Sequence, residues 1–142
     1  MIVKQLSVFL ENKANSLAKM LEVLSANGIN LSAFCVADSS DYGIVRFIVG
    51  RPKLAYNILK ENNYTVRLTD VVCMVVPHES GSLHKALKIV SDNGINIEYM
   101  YAFADGGTAK VVIRSDSNEH LIDVLQANKM QLLEANEIYN VD

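Results

Sequence analysis

The chain contains the same sequence pattern twice. The segment Ser16 to Leu31, SLAKMLEVLSANGINL, recurs 66 residues later as Ser82 to Ile97, SLHKALKIVSDNGINI, and nine of the 16 aligned positions are identical. A repeat at one fixed spacing indicates that a structural unit has been duplicated, and two copies are too few for a solenoid, which needs at least about three. The 142 residues therefore divide into two units, which we place at residues 1–70 and 71–142.

Each copy has the pattern of a strand, a helix, two strands, a helix and a strand. Ile2 to Leu10 alternates apolar and polar residues with the period of a half-buried strand. The next segment has apolar residues three and four positions apart, as a helix does, and ends at Asn27-Gly28, where glycine supplies a left-handed cap; Asn93-Gly94 ends the second copy's helix in the same way. Pro52 begins a second helix, since proline is favoured at the first helical position. The predicted strands are Ile2 to Leu10, Asn30 to Ala37, Ile44 to Val49, Tyr64 to Leu68, Asn96 to Ala104, Thr108 to Ile113 and Gln131 to Ile138.

This order of elements predicts an α+β fold in each copy. Right-handed crossovers and uncrossed connections favour a ferredoxin-like βαββαβ sandwich, with four antiparallel strands and both helices on one face. No run of Gly, Pro or Ser separates the copies, because Tyr64 to Val76 continues as a β-rich stretch. A unit of about 71 residues is marginally stable alone. We therefore expect two ferredoxin-like domains packed side by side.

Composition excludes several classes of protein. Half of the residues are apolar and 20% are charged, which is enough apolar material for a core and argues against intrinsic disorder. The formal charge of −3 and the lack of a basic cluster argue against a nucleic-acid partner. No apolar stretch approaches the roughly 20 residues of a spanning helix, and the first residues lack a signal-peptide pattern. We expect a cytoplasmic protein without a membrane partner.

The sequence shows no pattern of a catalytic, cofactor or metal site. It has no G-x-G-x-x-G, no Walker lysine motif, no H-E-x-x-H and no C-x-x-C. His78, His84 and His120 fall on different predicted elements without a third ligand at a defined spacing. Cys35 and Cys73 both lie in apolar, strand-like segments, as small buried hydrophobic residues do. We therefore expect a non-enzymatic protein with no cofactor and no metal.

The loops between each first strand and first helix are the remaining candidates for binding. Unpaired N–H groups at a helix start lie beside the positive end of the helix dipole and can receive a carboxylate. Gly81 permits a positive φ or a close approach of a ligand, and at the equivalent position Asn15 is the non-glycine residue that best tolerates that geometry. Alternatively, Asn15 and Ser80 or Ser82 simply cap their helices, and both interpretations can hold at once.

The two copies resemble the ACT domain, a small regulatory module that binds amino acids. The resemblance rests on an apolar strand followed by Glu11-Asn12, Asn15 and Leu17, then a leucine-striped helix and a G-I-N return. It covers both halves of the chain, and the arrangement is similar to tandem ACT proteins. The first copy is also similar to the beginning of acetolactate synthase regulatory subunits. The usual Pro-Gly before the helix is replaced by Ala14-Asn15 and by Ser80-Gly81, so the two sites need not share a ligand and one of them need not bind at all.

The resemblance implies amino-acid sites between paired domains, built from the first loop of one domain and the G-I-N segment of the other. Backbone amides would hold the ligand's carboxylate, and asparagine oxygens or Glu79 would receive its ammonium. The alternative for Asn30 and Asn96 is a local turn hydrogen bond. The implied ligand-binding residues are Asn12, Lys13, Ala14, Asn15, Asn30, Leu31, His78, Glu79, Ser80, Gly81, Asn96 and Ile97.

Two functional interpretations follow from these observations. The first is a non-catalytic, allosteric regulator that binds a free amino acid at the interface of its two domains, forms a homo-oligomer and acts on an enzyme or regulator. The second is a regulatory subunit that acts mainly by protein contact with an amino-acid biosynthetic enzyme, in the manner of the acetolactate synthase small subunit. An exposed apolar strand or helix face would favour the second interpretation.

Overall fold

The computed structural model describes residues 1–11, 13–38 and 42–139. These residues form seven strands and five helices. The order follows the predicted β-α-β-β-α-β pattern twice, except that one continuous strand ends the first copy and begins the second, and that the C-terminal end differs. The elements are β1 (Ile2–Glu11), α1 (Ser16–Ala26), β2 (Leu31–Asp38), β3 (Tyr42–Val49), α2 (Pro52–Glu61), β4 (Thr65–Pro77), α3 (Ser82–Asp92), β5 (Ile97–Asp105), β6 (Thr108–Ser115), α4 (Asn118–Ala127), β7 (Gln131–Leu132) and α5 (Ala135–Tyr139).

The chain forms two compact units, and each unit takes a short segment from the far end of the chain. The N-terminal unit consists of Lys4–Thr69 and the C-terminal segment from Asn136 onward, whereas the C-terminal unit consists of Met1–Val3 and Asp70–Ala135. Within the C-terminal unit, the α-amino group of Met1 forms an ion pair with the Glu134 carboxylate at 2.9 Å. The unit boundary at residue 70 falls within β4, a single strand.

In the N-terminal unit, β3 lies between β2 and β1 and pairs antiparallel with both. Leu6 pairs with Phe47 and Val8 with Val45, and all four side chains are buried on the face that carries the helices. Met20 and Leu24 of α1 and Ala55 and Leu59 of α2 pack against that face. The alternation in β1 and the helical spacing in α1 are therefore the two sides of one core, as the sequence predicts.

The C-terminal unit has the same architecture with four antiparallel strands. β6 lies between β4 and β5, and β4 also pairs with the two-residue β7. Alternate residues of β4 and β6 form the floor of the core, and both α3 and α4 lie on this face. Both units are thus ferredoxin-like, with the helices on one side of the sheet. The buried residues of this core are Val72, Met74, Val76, Ala86, Val90, Ile95, Val111, Ile113, Leu121, Val124 and Leu125.

Prediction of a strand over Gln131 to Ile138 was wrong. Only Gln131–Leu132 is a strand, and Ala135–Tyr139 is the helix α5. Ala and Glu, which are poor strand formers, occupy most of this segment between its apolar residues. The Tyr139 hydroxyl, moreover, bonds both the N–H and, at 3.3 Å, the carbonyl oxygen of Lys4, which holds α5 within the N-terminal unit.

The strand predicted over Tyr64 to Leu68 is only the beginning of β4, which continues to Pro77. The other predicted strands agree with the structure to within about two residues. The predicted caps at Gly28 and Gly94 are confirmed, since both residues have φ of +70°. In the predicted turn from Asp38 to Gly43, residues 39–41 lie outside the described part of the chain. Of the two cysteines, Cys73 is buried and Cys35 is partly buried. None of the helices in the described ranges combines the length and the apolar composition that a membrane span requires.

Candidate ligand-binding loops

The predicted site loops connect the first strand to the first helix of each repeat. Lys13, Ala14 and Asn15 lie between β1 and α1, and His78, Glu79, Ser80 and Gly81 lie between β4 and α3. All seven residues are exposed. Asn12, which was also predicted to bind a ligand, lies outside the described residues.

The two loops have the same internal hydrogen bonds. In each loop one backbone N–H donates a hydrogen bond to the carbonyl oxygen two residues earlier, and another N–H donates to the carbonyl oxygen three residues earlier. These bonds turn the chain from the strand into the helix. The bonds are Lys13 to Glu11 (2.9 Å) and Ser16 to Lys13 (3.4 Å) in one loop, and Glu79 to Pro77 (2.9 Å) and Ser82 to Glu79 (3.2 Å) in the other. The loop conformation is therefore a property of the repeat and survives a complete change of side chains.

The residue immediately before each helix has a left-handed backbone conformation. Asn15 has φ 73° and Gly81 has φ 90°, which confirms the prediction made from these two residue types. Neither helix start has a side-chain cap hydrogen bond among the described residues. Asn15 thus occupies the N-cap position of α1, as the capping alternative expects, but its side chain makes no cap hydrogen bond, and the N-cap of α3 is Gly81 rather than Ser80 or Ser82.

Several loop amides remain available to a ligand. Within the described ranges, the N–H groups of Ser80 and Gly81 donate to no protein acceptor, and the same is true of Ala14 and Asn15. These groups are exposed at the starts of α3 and α1, beside the positive ends of the helix dipoles. The arrangement can bind a carboxylate or another small anion.

A cavity of about 400 Å³ with charged, polar and apolar lining residues lies next to the loop of the N-terminal unit. Lys13 and Lys19 bring positive charge to it and Glu11 brings negative charge, while Tyr64 and Thr65 line it next to the start of β4. Its volume falls within the usual range of small-molecule pockets. The lining residues are Phe9, Leu10, Glu11, Lys13, Ser16, Lys19, Asn63, Tyr64 and Thr65.

Glu11 and Lys13 neutralise each other at the edge of this cavity. The Lys13 ammonium lies 2.7 Å from the Glu11 carboxylate. Its hydrogen bond and its charge lower the pKa of Glu11, and the same contacts raise the pKa of Lys13. Both side chains are exposed, so the pair contributes little to stability. Lys19 has no such counter-ion among the described residues and provides the cavity's free positive charge.

A smaller cavity of about 290 Å³ lies beside the loop of the C-terminal unit, and it has a different chemical character. His78 and Glu79 stand at its polar end, and Leu83 of α3 and the ends of three strands form the remainder. The lining residues are Val76, Pro77, His78, Glu79, Leu83, Ala102, Phe103, Ala104, Ala109 and Val111. The structure therefore places a mostly apolar cavity beside one loop and a charged cavity beside the other.

The four predicted residues of the G-I-N segments line neither of these two cavities. Asn30 precedes β2 and Asn96 precedes β5, while Leu31 and Ile97 are the first residues of those strands. The Asn30 side-chain oxygen accepts a hydrogen bond from the N–H of Leu31 at 3.0 Å, which supports the local-turn alternative for this residue. The backbone N–H of Asn96 donates to the Asp116 carboxylate at 3.3 Å.

Other reactive groups do not form a second centre. Across the described residues, no three His, Cys, Asp or Glu side chains lie close enough together to hold a metal ion. Burial raises the pKa of the Cys73 thiol to about 12. His84 is exposed on α3, as predicted, and His120 is exposed on α4.

Several residues beside the loops were not predicted to line a site. Ser16 and Lys19 lie at the start of α1, at the spacing that places two side chains on one helix face, and this spacing was a usable signal. Ala102 and Ala104 alternate on β5, so they share a face of the sheet, but their small size reveals nothing without the surrounding strands. Tyr64 and Thr65 come from the far end of the repeat, which only the fold brings to the loop.

Comparisons with known proteins agree with this architecture. The sequence pattern of the family described as an ACT domain pair matches residues 1–141. A protein of known crystal structure from Bacteroides thetaiotaomicron is 46% identical, with a TM-score of 0.96 over 99% of this chain and 98% of that one. The regulatory subunits of aspartate kinase from Thermus thermophilus and Thermus flavus share the fold at 16% and 15% identity, each with a TM-score of 0.64. They cover 87% of this chain, and 91% and 90% of their own chains respectively. No curated protein matches the chain significantly.

The fold and the two loops thus define a pair of ferredoxin-like regulatory-type domains in one chain. The chain belongs to the ACT domain pair family.

Proposed function

We propose that this protein is a non-catalytic regulator that binds a free amino acid at its strand-to-helix loops. The observation that carries the proposal is the exposed, unpartnered amides of Ser80 and Gly81, which stand at the start of α3 beside a cavity of small-molecule size. A free amino acid presents a carboxylate to such amides and an ammonium group to a carboxylate such as Glu79. Ala14, Asn15 and Lys13 are the corresponding groups in the other loop.

The proposal extends to the remaining predicted residues and to regulation. It includes Asn12, Asn30, Leu31, Asn96 and Ile97 as ligand-binding residues of the cytoplasmic protein, and it includes a homo-oligomer whose association responds to ligand. A ligand shifts an equilibrium only as far as its affinities for the two states differ, so the bound amino acid must prefer one state of association. The domain boundaries of the proposal are residues 1–70 and 71–142.

Thermal denaturation in the presence of each of the twenty amino acids tests the binding. A ligand at about 100 times its dissociation constant stabilises the folded protein by about 2.7 kcal/mol, which raises the midpoint by several degrees. Light scattering with and without the amino acid that stabilises the protein then measures the change in association. If none of the twenty amino acids raises the midpoint, the proposal fails.

Gly81→Leu is the variant that connects this binding to the loop. A side chain at residue 81 would extend from an exposed, left-handed position with no neighbouring atom within 4 Å, into the space where a ligand approaches the amides. Gly106→Leu is the matched control, because Gly106 also has a positive φ and open surroundings, lies in the turn between β5 and β6, and is not among the residues that line the cavity. We expect both variants to lose similar stability and only Gly81→Leu to lose binding.

One observation favours the alternative function, in which the protein acts by contact with a biosynthetic enzyme. Phe34 and Val36, which alternate on β2, are 42% and 49% exposed and form an apolar patch in the N-terminal unit. Under this alternative, adding the protein to the acetolactate synthase catalytic subunit of the same organism changes the enzyme's activity, and the double variant Phe34→Ser, Val36→Thr abolishes the change. No effect on that enzyme would contradict the alternative.

A further inference from the structure

We propose that the cavity beside His78 and Glu79 selects a free amino acid with an aliphatic side chain of the size of valine, leucine or isoleucine. This inference rests on the proposed function, because it names the class of amino acid that the loop of the C-terminal unit takes.

The floor of the cavity comes from directly paired residues on three neighbouring strands. Ala109 of β6 pairs with Val76 of β4 on one side and with Ala104 of β5 on the other. Val111, two residues further along β6, pairs with Ala102. Directly paired residues of antiparallel strands point to the same face, so all five side chains lie on one face, which also carries α3 and α4.

This floor is apolar but not fully covered by the helices. Val76 and Val111 are buried beneath the helical layer, whereas Ala102 and Ala104 are exposed beyond it, with Leu83 of α3 at the border. The short side chains of the alanines leave the cavity of about 290 Å³ open above the sheet. An aliphatic group that fills this space removes its own apolar surface and that of the cavity from water, which favours its binding.

The charged groups of the cavity suit the two ends of an amino acid and leave nothing for a charged side chain. Of the ten lining residues, only His78 and Glu79 have ionisable side chains. The Glu79 carboxylate complements the ligand's ammonium, and the free amides of Ser80 and Gly81, which follow Glu79 in the chain just outside the cavity lining, complement its carboxylate. A charged ligand side chain that entered among Leu83 and the alanines would lose its hydration without gaining a partner, which is strongly unfavourable.

The equivalent loop of the N-terminal unit does not have this selectivity. Its cavity is lined by Glu11, Lys13 and Lys19 together with Ser16 and Tyr64, so a polar ligand would find partners there. The preference for an aliphatic side chain is therefore assigned to the cavity of the C-terminal unit alone.

Isothermal titration of the full-length protein with alanine, valine, leucine, aspartate and lysine tests the inference. We expect the affinity to rise from alanine to valine to leucine by about fourfold for each added methylene group, and we expect no binding of aspartate or lysine in this cavity. Ala102→Phe fills the cavity from an exposed position and should weaken leucine binding by at least about tenfold. Val36→Phe is the matched control, because Val36 occupies the same position in the first repeat, 66 residues earlier, and we expect it to leave leucine binding unchanged.

Ala104→Leu fills the same cavity from the next position of β5 on the same face of the sheet. It is the second variant if circular dichroism shows that Ala102→Phe does not fold. Loss of leucine binding in a folded cavity-filling variant, with binding retained in Val36→Phe, supports the inference. Retained leucine binding in the folded cavity-filling variants overturns it. A wild-type preference for a polar or charged amino acid that Gly81→Leu abolishes overturns the inference and leaves the proposed function intact. Failure of all twenty amino acids to bind overturns both.

Discussion

Asn15 and Gly81 have the same left-handed backbone conformation at equivalent positions of the two repeats. Asn15 has φ 73° and ψ −7°, and Gly81 has φ 90° and ψ −12°. Glycine adopts this conformation without a steric penalty, and asparagine is one of the few other residues that visits it routinely. The repeats have therefore kept the turn that leads each strand into its helix while the surrounding side chains diverged.

Gly81→Ala is expected to reduce the free energy of unfolding by about 1–2 kcal/mol, because alanine pays the steric cost of a positive φ. The new Cβ would meet no atom within 4 Å, so the backbone conformation alone accounts for the loss. Urea denaturation measures it. Gly107→Ala is the control, since Gly107 has open surroundings and no positive φ, and its change should stay within about 0.5 kcal/mol. Equal losses in the two variants would show that backbone strain at residue 81 is not the cause.

Gly50→Ala is expected to destabilise the packing of α5 in the N-terminal unit. A Cβ at residue 50 would lie 2.7 Å from the carbonyl oxygen of Tyr139, so the backbone of α5 must move. Overpacking of this kind costs about 1–3 kcal/mol. Hydrogen exchange of the α5 amides, together with urea denaturation, measures the effect. Gly43→Ala is the control, because its Cβ would make only an ordinary contact of 3.8 Å with the carbonyl oxygen of Ala37. This variant should leave the hydrogen exchange of α5 and the free energy of unfolding unchanged. Unaltered exchange in Gly50→Ala would contradict the contact.

The buried thiol of Cys73 is expected to make stability fall at alkaline pH. Burial raises its pKa from 9.0 to about 12 in the folded protein, so the folded state holds this proton more tightly than the unfolded chain does. The resulting stability is complete below pH of about 9 and is lost as the pH rises toward about 12, by at most about 1.4 kcal/mol per pH unit.

Cys73→Ala separates this effect from the titration of other groups. The variant should be less stable than the wild type at pH 7, because it leaves a cavity in the sheet, and the difference should narrow as the pH rises above 9. Urea denaturation of both proteins at pH 7, 9 and 10 under reducing conditions measures the difference. A difference that stays constant over this range would rule out the thiol as the titrating group.

Much of each unit could be predicted because the signals are local. One buried face of β1 is indicated by the alternation of Leu6, Val8 and Leu10, and one buried face of α1 by the helical spacing of the leucines that follow. Gly28 and Gly94 mark helix ends through a conformation that other residues avoid. The repeat strengthens these predictions, since the helix and strand patterns of one copy recur 66 residues away in the other.

The candidate site was only partly predictable. Asn15 and Gly81 reveal the loop conformation through their residue type, whereas Ala102 and Ala104 acquire a role only because pairing with β6 places them beside Leu83. An alanine in a strand has the same local preference whether it lines a cavity or a packed core. The character of each cavity could therefore not be read along the chain.

The sequence by itself determined the duplication, the order of the elements through α4 and the two left-handed turns before α1 and α3, because these depend on residues within a few positions of one another. Tertiary structure decided that Met1–Val3 belongs to the C-terminal unit, that the segment after Glu134 is helical, and which cavity is apolar. These features depend on contacts such as Met1 with Glu134 and Lys4 with Tyr139, which join residues more than 130 positions apart. Local preferences are too weak to specify such contacts, and only the packing of the folded chain selects them.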